Sequence, residues 1–267
     1  MKILSRGVYM DAESLNVLNS RGFGEYTGFE TGRYIIPDVI EKNTTHFLNA
    51  GIGHRERDCR RIFDYSDGFY SLVYGMAASG SGPGVTGSTG AGERYNVAAG
   101  NNAHRAICIE PRAREAQILA SYTDYRQNEI SPCGMGIFEN RLGGRVCVSG
   151  YYPFTMIDSL PKAAQIKNVF LWLSKKCLPA YIASFHKMAV WARRTRAGGP
   201  GALIANLSLD EAENARLALL SKPGTDVVLV NAKAQQTILS PETRDGDYNF
   251  YVLPQIGALE VCFIAVW

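Results

Sequence analysis

The sequence predicts two domains in tandem: a mixed α/β or α+β domain over residues 1–178, then an all-β antiparallel sandwich over residues 179–267. Two patterns predict this. Helical and extended periods intermingle up to Leu173, and only short extended runs separated by turns follow Pro179. At roughly 150 residues per domain, a chain of 267 residues has room for two ordinary cores.

The first domain opens with extended Ile3-Leu4 and Val8-Tyr9-Met10. Asp11 then caps a helix running through Leu15 and Leu18, and Gly22 supplies its left-handed stop. This opening reads as the middle of an α/β pattern with no strands before it, so an incomplete domain is expected. Short strand candidates follow at Tyr34-Ile35-Ile36, Thr45–Leu48, Arg61-Ile62-Phe63 and Phe69–Tyr74. Residues 79–100, rich in Gly and Ser and without a hydrophobic period, read as a long loop.

Beyond the loop, Ala106–Ile109 and Gln117–Tyr122 read as strands. Gly136–Asn140 and Arg145–Val148 form a hairpin across Gly143-Gly144. Asp158 or Ser159 then caps a helix whose apolar residues Ala163, Ile166, Val169, Phe170 and Leu173 recur at three and four. Lys162, Gln165 and Asn168 fall on the opposite face, predicted to be exposed while the apolar stripe covers a sheet.

In the second domain the predicted strands are Phe185–Trp191, Ala202–Leu207, Ala215–Leu219, Val227–Val230, Phe250–Leu253 and Leu259–Trp267. The last alternates through Leu259, Val261, Phe263, Ala265 and Trp267. Gly198-Gly199-Pro200-Gly201, Pro223-Gly224 and Asp245-Gly246 supply turns, as in a small antiparallel sandwich.

A net charge of +3 is too mild for a nucleic-acid surface, which needs clustered Lys and Arg. No run of about 18 apolar residues and no signal peptide is visible, so a soluble, cytoplasmic protein without a membrane partner is expected. The six cysteines are spread out without a C-x-x-C pair and read as free thiols. His46, His54, His104 and His186 are equally scattered, so neither a metal nor another cofactor is expected. The Gly-rich stretch lacks the lysine and hydroxyl of a phosphate loop, which argues against a nucleotide.

Candidate catalytic groups are the carboxylates Asp64, Asp67, Glu139 and Asp158, which lie near aromatic residues and could act in pairs on a glycosidic bond. Each has a plainer explanation. Asp67-Gly68 is a turn, Asp158 a helix cap and Glu139 an exposed hairpin position. Cys133 lies in Ser-Pro-Cys-Gly-Met-Gly, which lacks the spacing of a nucleophile elbow, and Cys147 reads as a small hydrophobe in a buried strand. Tyr151, Tyr152 and Trp191 are candidates for stacking on a sugar, with core packing as the alternative. The basic runs at residues 54–61 and 193–196 read as solvated surface or one side of an interface.

Three stretches together resemble the carboxyl-terminal portion of multidomain clan-A β-galactosidase-type glycoside hydrolases. They are Gly7–Leu15 with Arg21-Gly22-Phe23-Gly24, then Phe138–Pro153, and Ala205-Asn206-Leu207-Ser208. The resemblance implies an amidotransferase-like first domain, incomplete and with added strands, followed by the sandwich. In that family the catalytic glutamates belong to a barrel, and eight strand–helix repeats need about 250 residues, so no catalytic residue carries over.

Three readings follow. The first is a non-catalytic accessory protein serving oligomerisation or a carbohydrate site, as a homo-oligomer or beside a separate catalytic domain or subunit. The second is a stand-alone glycosidase or other hydrolase using paired carboxylates. The third is a carbohydrate-binding module.

Overall fold

A computed structural model describes residues 2–35, 40–49, 107–124, 126, 128–150, 160–184, 186–196 and 198–266. Strands dominate it, in several largely antiparallel sheets. The chain divides into two compact units, Met1–Lys176 and Cys177–Trp267.

In the first unit, β1 (Gly7–Asp11) runs into α1 (Ala12–Ser20). Asp11 Oδ1 accepts the Ser14 amide at 2.8 Å, satisfying one of the orphan donors at the helix start. A short α2 (Gly24–Thr27) leads to β2 (Phe29–Tyr34), which pairs with β4 (Ile107–Pro111) in a two-stranded sheet. The main sheet adds β3 (Ile40–Asn43), β5 (Gln117–Thr123), β6 (Glu129–Glu139) and β7 (Arg145–Ser149), in the order β1-β7-β6-β5-β3. Only β1 and β7 are parallel; the remaining neighbours are antiparallel.

Apolar residues cover both faces of this sheet. Met10, Val146 and Val148 pack with Leu15 of α1, Phe29 of β2 and Ile109 of β4. On the other face Met135, Ile137 and Cys147 meet Ile166, Val169 and Leu173 of α3 (Leu160–Leu173). The β6–β7 hairpin is held from inside by Asn140, whose Oδ1 accepts the Leu142 and Gly144 amides while its Nδ2 donates to Leu4 and Tyr26 carbonyls. A Cβ on Gly144 would stand 1.9 Å from the Leu4 carbonyl oxygen, so the amino-terminal turn needs a glycine there.

Three expectations fail in this unit. Ile3-Leu4 is not extended but part of a turn, in which the Arg6 amide donates to the Ile3 carbonyl at 3.1 Å. Residues 45–48 are not a strand: Phe47–Asn49 form a 3-10 turn in which the Leu48 amide donates to His46 Nδ1 at 3.2 Å. Nor does Gln165 face solvent; it is fully buried. The expected strands at 61–63 and 69–74 and the loop at 79–100 lie outside the described residues.

The second unit is a sandwich of two sheets. One holds β9 (Met188–Arg194), β10 (Pro200–Asn206), β12 (Val227–Val230), β13 (Gln236–Leu239) and β16 (Val261–Val266), in the order β13-β12-β16-β10-β9. The other runs β14-β15-β11-β8, from β14 (Thr243–Asp245), β15 (Tyr248–Val252), β11 (Arg216–Leu220) and β8 (Ala180–Ile182). Ala202, Ile204, Leu229 and Ile264 of the first sheet pack on Leu217, Leu219 and Tyr251 of the second.

Strand β16 settles the meaning of its alternation. The residues filling the core are Cys262 and Ile264, with Val266 packed against them. The set singled out by sequence, Val261, Phe263 and Ala265, has the opposite parity and belongs to the outer face. Both faces of this strand are therefore apolar.

Candidate functional site

Of the sequence candidates, Asp64, Asp67, Asp158, Tyr151 and Tyr152 lie outside the described residues. Glu139 closes β6, exposed, with its Oε2 accepting from Arg145 Nε at 3.0 Å. Arg145 also donates to the Trp172 carbonyl at 2.7 Å and lies over that indole ring, 5.0 Å from its centroid. Glu139 is thus one end of a structural contact between the hairpin and the end of α3.

Cys133 and Cys147 are both buried. Burial pushes the Cys133 thiol up to about 12, so at neutral pH it is a protonated core residue and not a thiolate nucleophile. Among the described residues no group of three or more His, Cys, Asp or Glu gathers as a metal site, and no helix is long and apolar enough to cross a membrane.

A polar group invisible in the sequence lies in the first unit, beneath α3. Gln165 Nε2 donates to Asn43 Oδ1 at 3.0 Å and to Asn49 Oδ1 at 2.8 Å. Asn49 Nδ2 in turn donates to the Thr44 and Leu119 carbonyls, each at 2.8 Å. Glu41, on β3, is fully buried in the same unit. The Tyr9 hydroxyl is shut off from solvent although the residue as a whole is partly exposed. Burial, followed by the charges of Cys147, Glu41 and Asp11, raises Tyr9 well above the ordinary phenol value, against a lowering hydrogen bond to Ser149. Tyr9 remains a neutral phenol across the physiological range. The network closes on itself: its amides are engaged with one another and with backbone, which fixes the seating of α3.

The outward feature of the second unit is the solvent face of its five-stranded sheet. Trp191 of β9 stands opposite Leu203 of β10, Leu203 opposite Phe263 of β16, and Phe263 opposite Val230 of β12. One apolar row therefore crosses four strands. Trp191 is 44% exposed, Leu203 38%, Val261 40% and Ile238 70%. Scattered exposed apolar residues are ordinary, whereas a contiguous row on a sheet face marks an interaction surface. Arg193 and Arg194, at the end of β9, border it with positive charge.

No family model and no curated protein matches the chain. Among solved structures, alpha-L-fucosidase isoenzyme 2 from Paenibacillus thiaminolyticus aligns over 61% of this chain and 28% of its own, at 12% identity and a TM-score of 0.39. A rhamnosidase from Novosphingobium sp. PP1Y aligns over 49% of this chain and 11% of its own, at 13% identity and a TM-score of 0.33. Both are glycoside hydrolases by name, and this chain spans well under two thirds of either.

Proposed function

We propose that the chain is a non-catalytic accessory protein of the glycoside-hydrolase kind, and that it assembles with a second copy through the outer face of its five-stranded sheet. The single supporting observation is β16, apolar on both sides, in the middle of a face where Trp191, Leu203 and Phe263 stand in register. Valine, phenylalanine and alanine on the outer side of this strand present apolar surface that a covering partner would bury. The amidotransferase-like character of the first unit belongs to the same proposal and rests on the sequence resemblance.

The area available sets the strength. Five strands spaced ~4.8 Å and four to seven residues long at ~3.3 Å each present a face of roughly 20 by 20 Å. Two such faces bury on the order of 800–1,000 Å², at or below the ~1,200 Å² from which stable pairs begin. The pair is accordingly one that dissociates on dilution.

Light scattering across a concentration series tests it. The weight-average mass should climb from the 29.3 kDa of one chain towards twice that value, and Leu203→Glu should hold it at one chain throughout. A single-chain mass at every concentration overturns self-assembly and leaves a different protein partner as the occupant of the face.

A second reading, a carbohydrate-binding platform, is favoured by the exposure of Trp191, since an indole face stacks on a sugar ring. Its cross-strand neighbours Leu203 and Phe263 are apolar, and Arg193 on its own strand is the one donor beside it, which is why docking is preferred. Oligosaccharide binding lost in Trp191→Ala, with no change of mass, would reverse that preference.

A further inference from the structure

Four strand ends meet at one end of the sandwich: the start of β8, the end of β9, the start of β10 and the end of β11. A cavity of about 400 Å³ opens among them, lined on the β9 side by Arg193 and Arg194 of the basic run. We infer that this cavity binds a small organic acid, a carboxylate carried on an apolar body. Its volume falls within the ~300–1,000 Å³ of pockets that take small molecules. Every lining residue belongs to the second unit.

The position of Arg194 carries the argument. Along β9, Met188 and Val190 pack against the core between the two sheets, and Arg194 shares their parity. At a place in the alternation where an apolar residue is expected, the strand ends instead on a guanidinium. Its side chain makes no hydrogen bond and no ion pair among the described residues, so its N–H donors are left for solvent or a ligand. Arg193, of opposite parity, also lines the cavity; its Nη1 donates to the Ala192 carbonyl at 2.9 Å, which leaves most of its donors open. No Asp or Glu stands among the lining residues, so the two positive charges are uncompensated there and favour an anion. A guanidinium fork matches a carboxylate with two parallel hydrogen bonds.

The walls select the rest of the ligand. Pro179, Ala192, Pro200 and Leu220 supply apolar surface, and none of the four is buried, so that surface is open to an incoming molecule. Pro179 and Leu220 hold each other in place, the Leu220 amide donating to the Pro179 carbonyl at 2.9 Å. In the other sheet, the Thr195 amide donates to the Gly199 carbonyl at 2.8 Å and the Gly198 amide to the Thr195 carbonyl at 2.9 Å, which closes the turn after β9. These two amides are therefore spent inside the turn. Converging backbone amides are what cradle a phosphate, and apolar walls are what seat a hydrocarbon, so an organic carboxylate is preferred to inorganic phosphate.

Cys177 lines the same cavity as an exposed thiol and gives the site a reporter. Titration calorimetry on the full chain, with phenylacetate, hexanoate, their neutral amides and inorganic phosphate as probes, tests the inference. At least one acid should bind, its amide about tenfold or more weakly, and phosphate at equal concentration should not displace it. Arg194→Ala, at an exposed strand end, should weaken the acid by about tenfold or more with an unchanged thermal melt. Arg194→Lys, which keeps the charge and loses the fork, should fall between. N-ethylmaleimide fills the cavity through Cys177 and should block the acid in the unaltered chain but not in Cys177→Ala. Absence of binding by both acids, equal binding of acid and amide, or displacement by phosphate would each overturn the inference. So would binding that survives both Arg194→Ala and the maleimide.

Discussion

Gln165 on α3 lies 2.8 Å through its Nε2 from Asn49 Oδ1, a contact between residues 116 positions apart in the chain. The same nitrogen serves Asn43 at 3.0 Å, so one side-chain amide satisfies two buried acceptors. Gln165→Leu leaves both without that donor. At ~1–3 kcal/mol for each unsatisfied buried group, the first unit should lose about 2–5 kcal/mol in urea denaturation, whereas Lys167→Ala on the same helix should cost much less.

The buried thiols set an alkaline limit. Cys133 is raised from an ordinary 9.0 to about 12 and Cys262 to about 11, burial being the chief cause of both. Above pH 9 the unfolded chain releases thiol protons that the folded chain keeps, so stability is fully present below pH 9 and falls as pH rises towards 11–12. For Cys133 the loss reaches at most about 4 kcal/mol, at ~1.4 kcal/mol per unit. Urea midpoints measured from pH 7 to 11 should fall less steeply above pH 9 in Cys133→Ala than in the unaltered chain.

Glu139 and Arg145 form a half-exposed pair, and such pairs contribute little. Glu139→Gln should change the melting free energy by under ~1 kcal/mol. Arg145→Ala should cost about 2 kcal/mol, because it also removes the Trp172 carbonyl bond and the stacking on the indole. Thermal melts of both variants at low and high salt separate the ionic part, which salt screens, from the packing part, which it does not.

Two glycines should respond differently to alanine. At Gly144 a Cβ meets backbone 1.9 Å away, and Gly144→Ala should cost at least ~3 kcal/mol or prevent folding of the first unit. At Gly198 nothing lies within 4 Å and only its φ of +84° is unfavourable, so Gly198→Ala should cost about 1–2 kcal/mol. Chemical denaturation of each variant checks the contrast.

What could be read from sequence was local. The Asp11 cap, the stop at Gly22, the hairpin about Gly143-Gly144 and the helix ending at Leu173 each depend on residues a few positions apart. What could not be read was distant. Gln165 sits in the polar stripe of its helix and looks solvent-facing, yet Asn43 and Asn49 arrive from another part of the chain to meet it. The direction of β16 was equally hidden, since Val261, Phe263 and Ala265 are as apolar as Cys262, Ile264 and Val266, and periodicity cannot choose between two apolar sets. Of the named candidates, Glu139 proved to be the hairpin position its neighbours suggested, and Trp191 is exposed.

The central seat of β16 protects the chain from its own composition. Val261–Val266 is six uncharged residues of high strand propensity with no proline, the kind of segment that stacks into fibrils when released. Here β10 bonds one edge and β12 the other, so neither is offered to a neighbouring molecule. Conditions that loosen β12 and β13 while leaving β10 in place would bare one such edge. Ordered aggregates seeded from this strand would then be the expected route of failure.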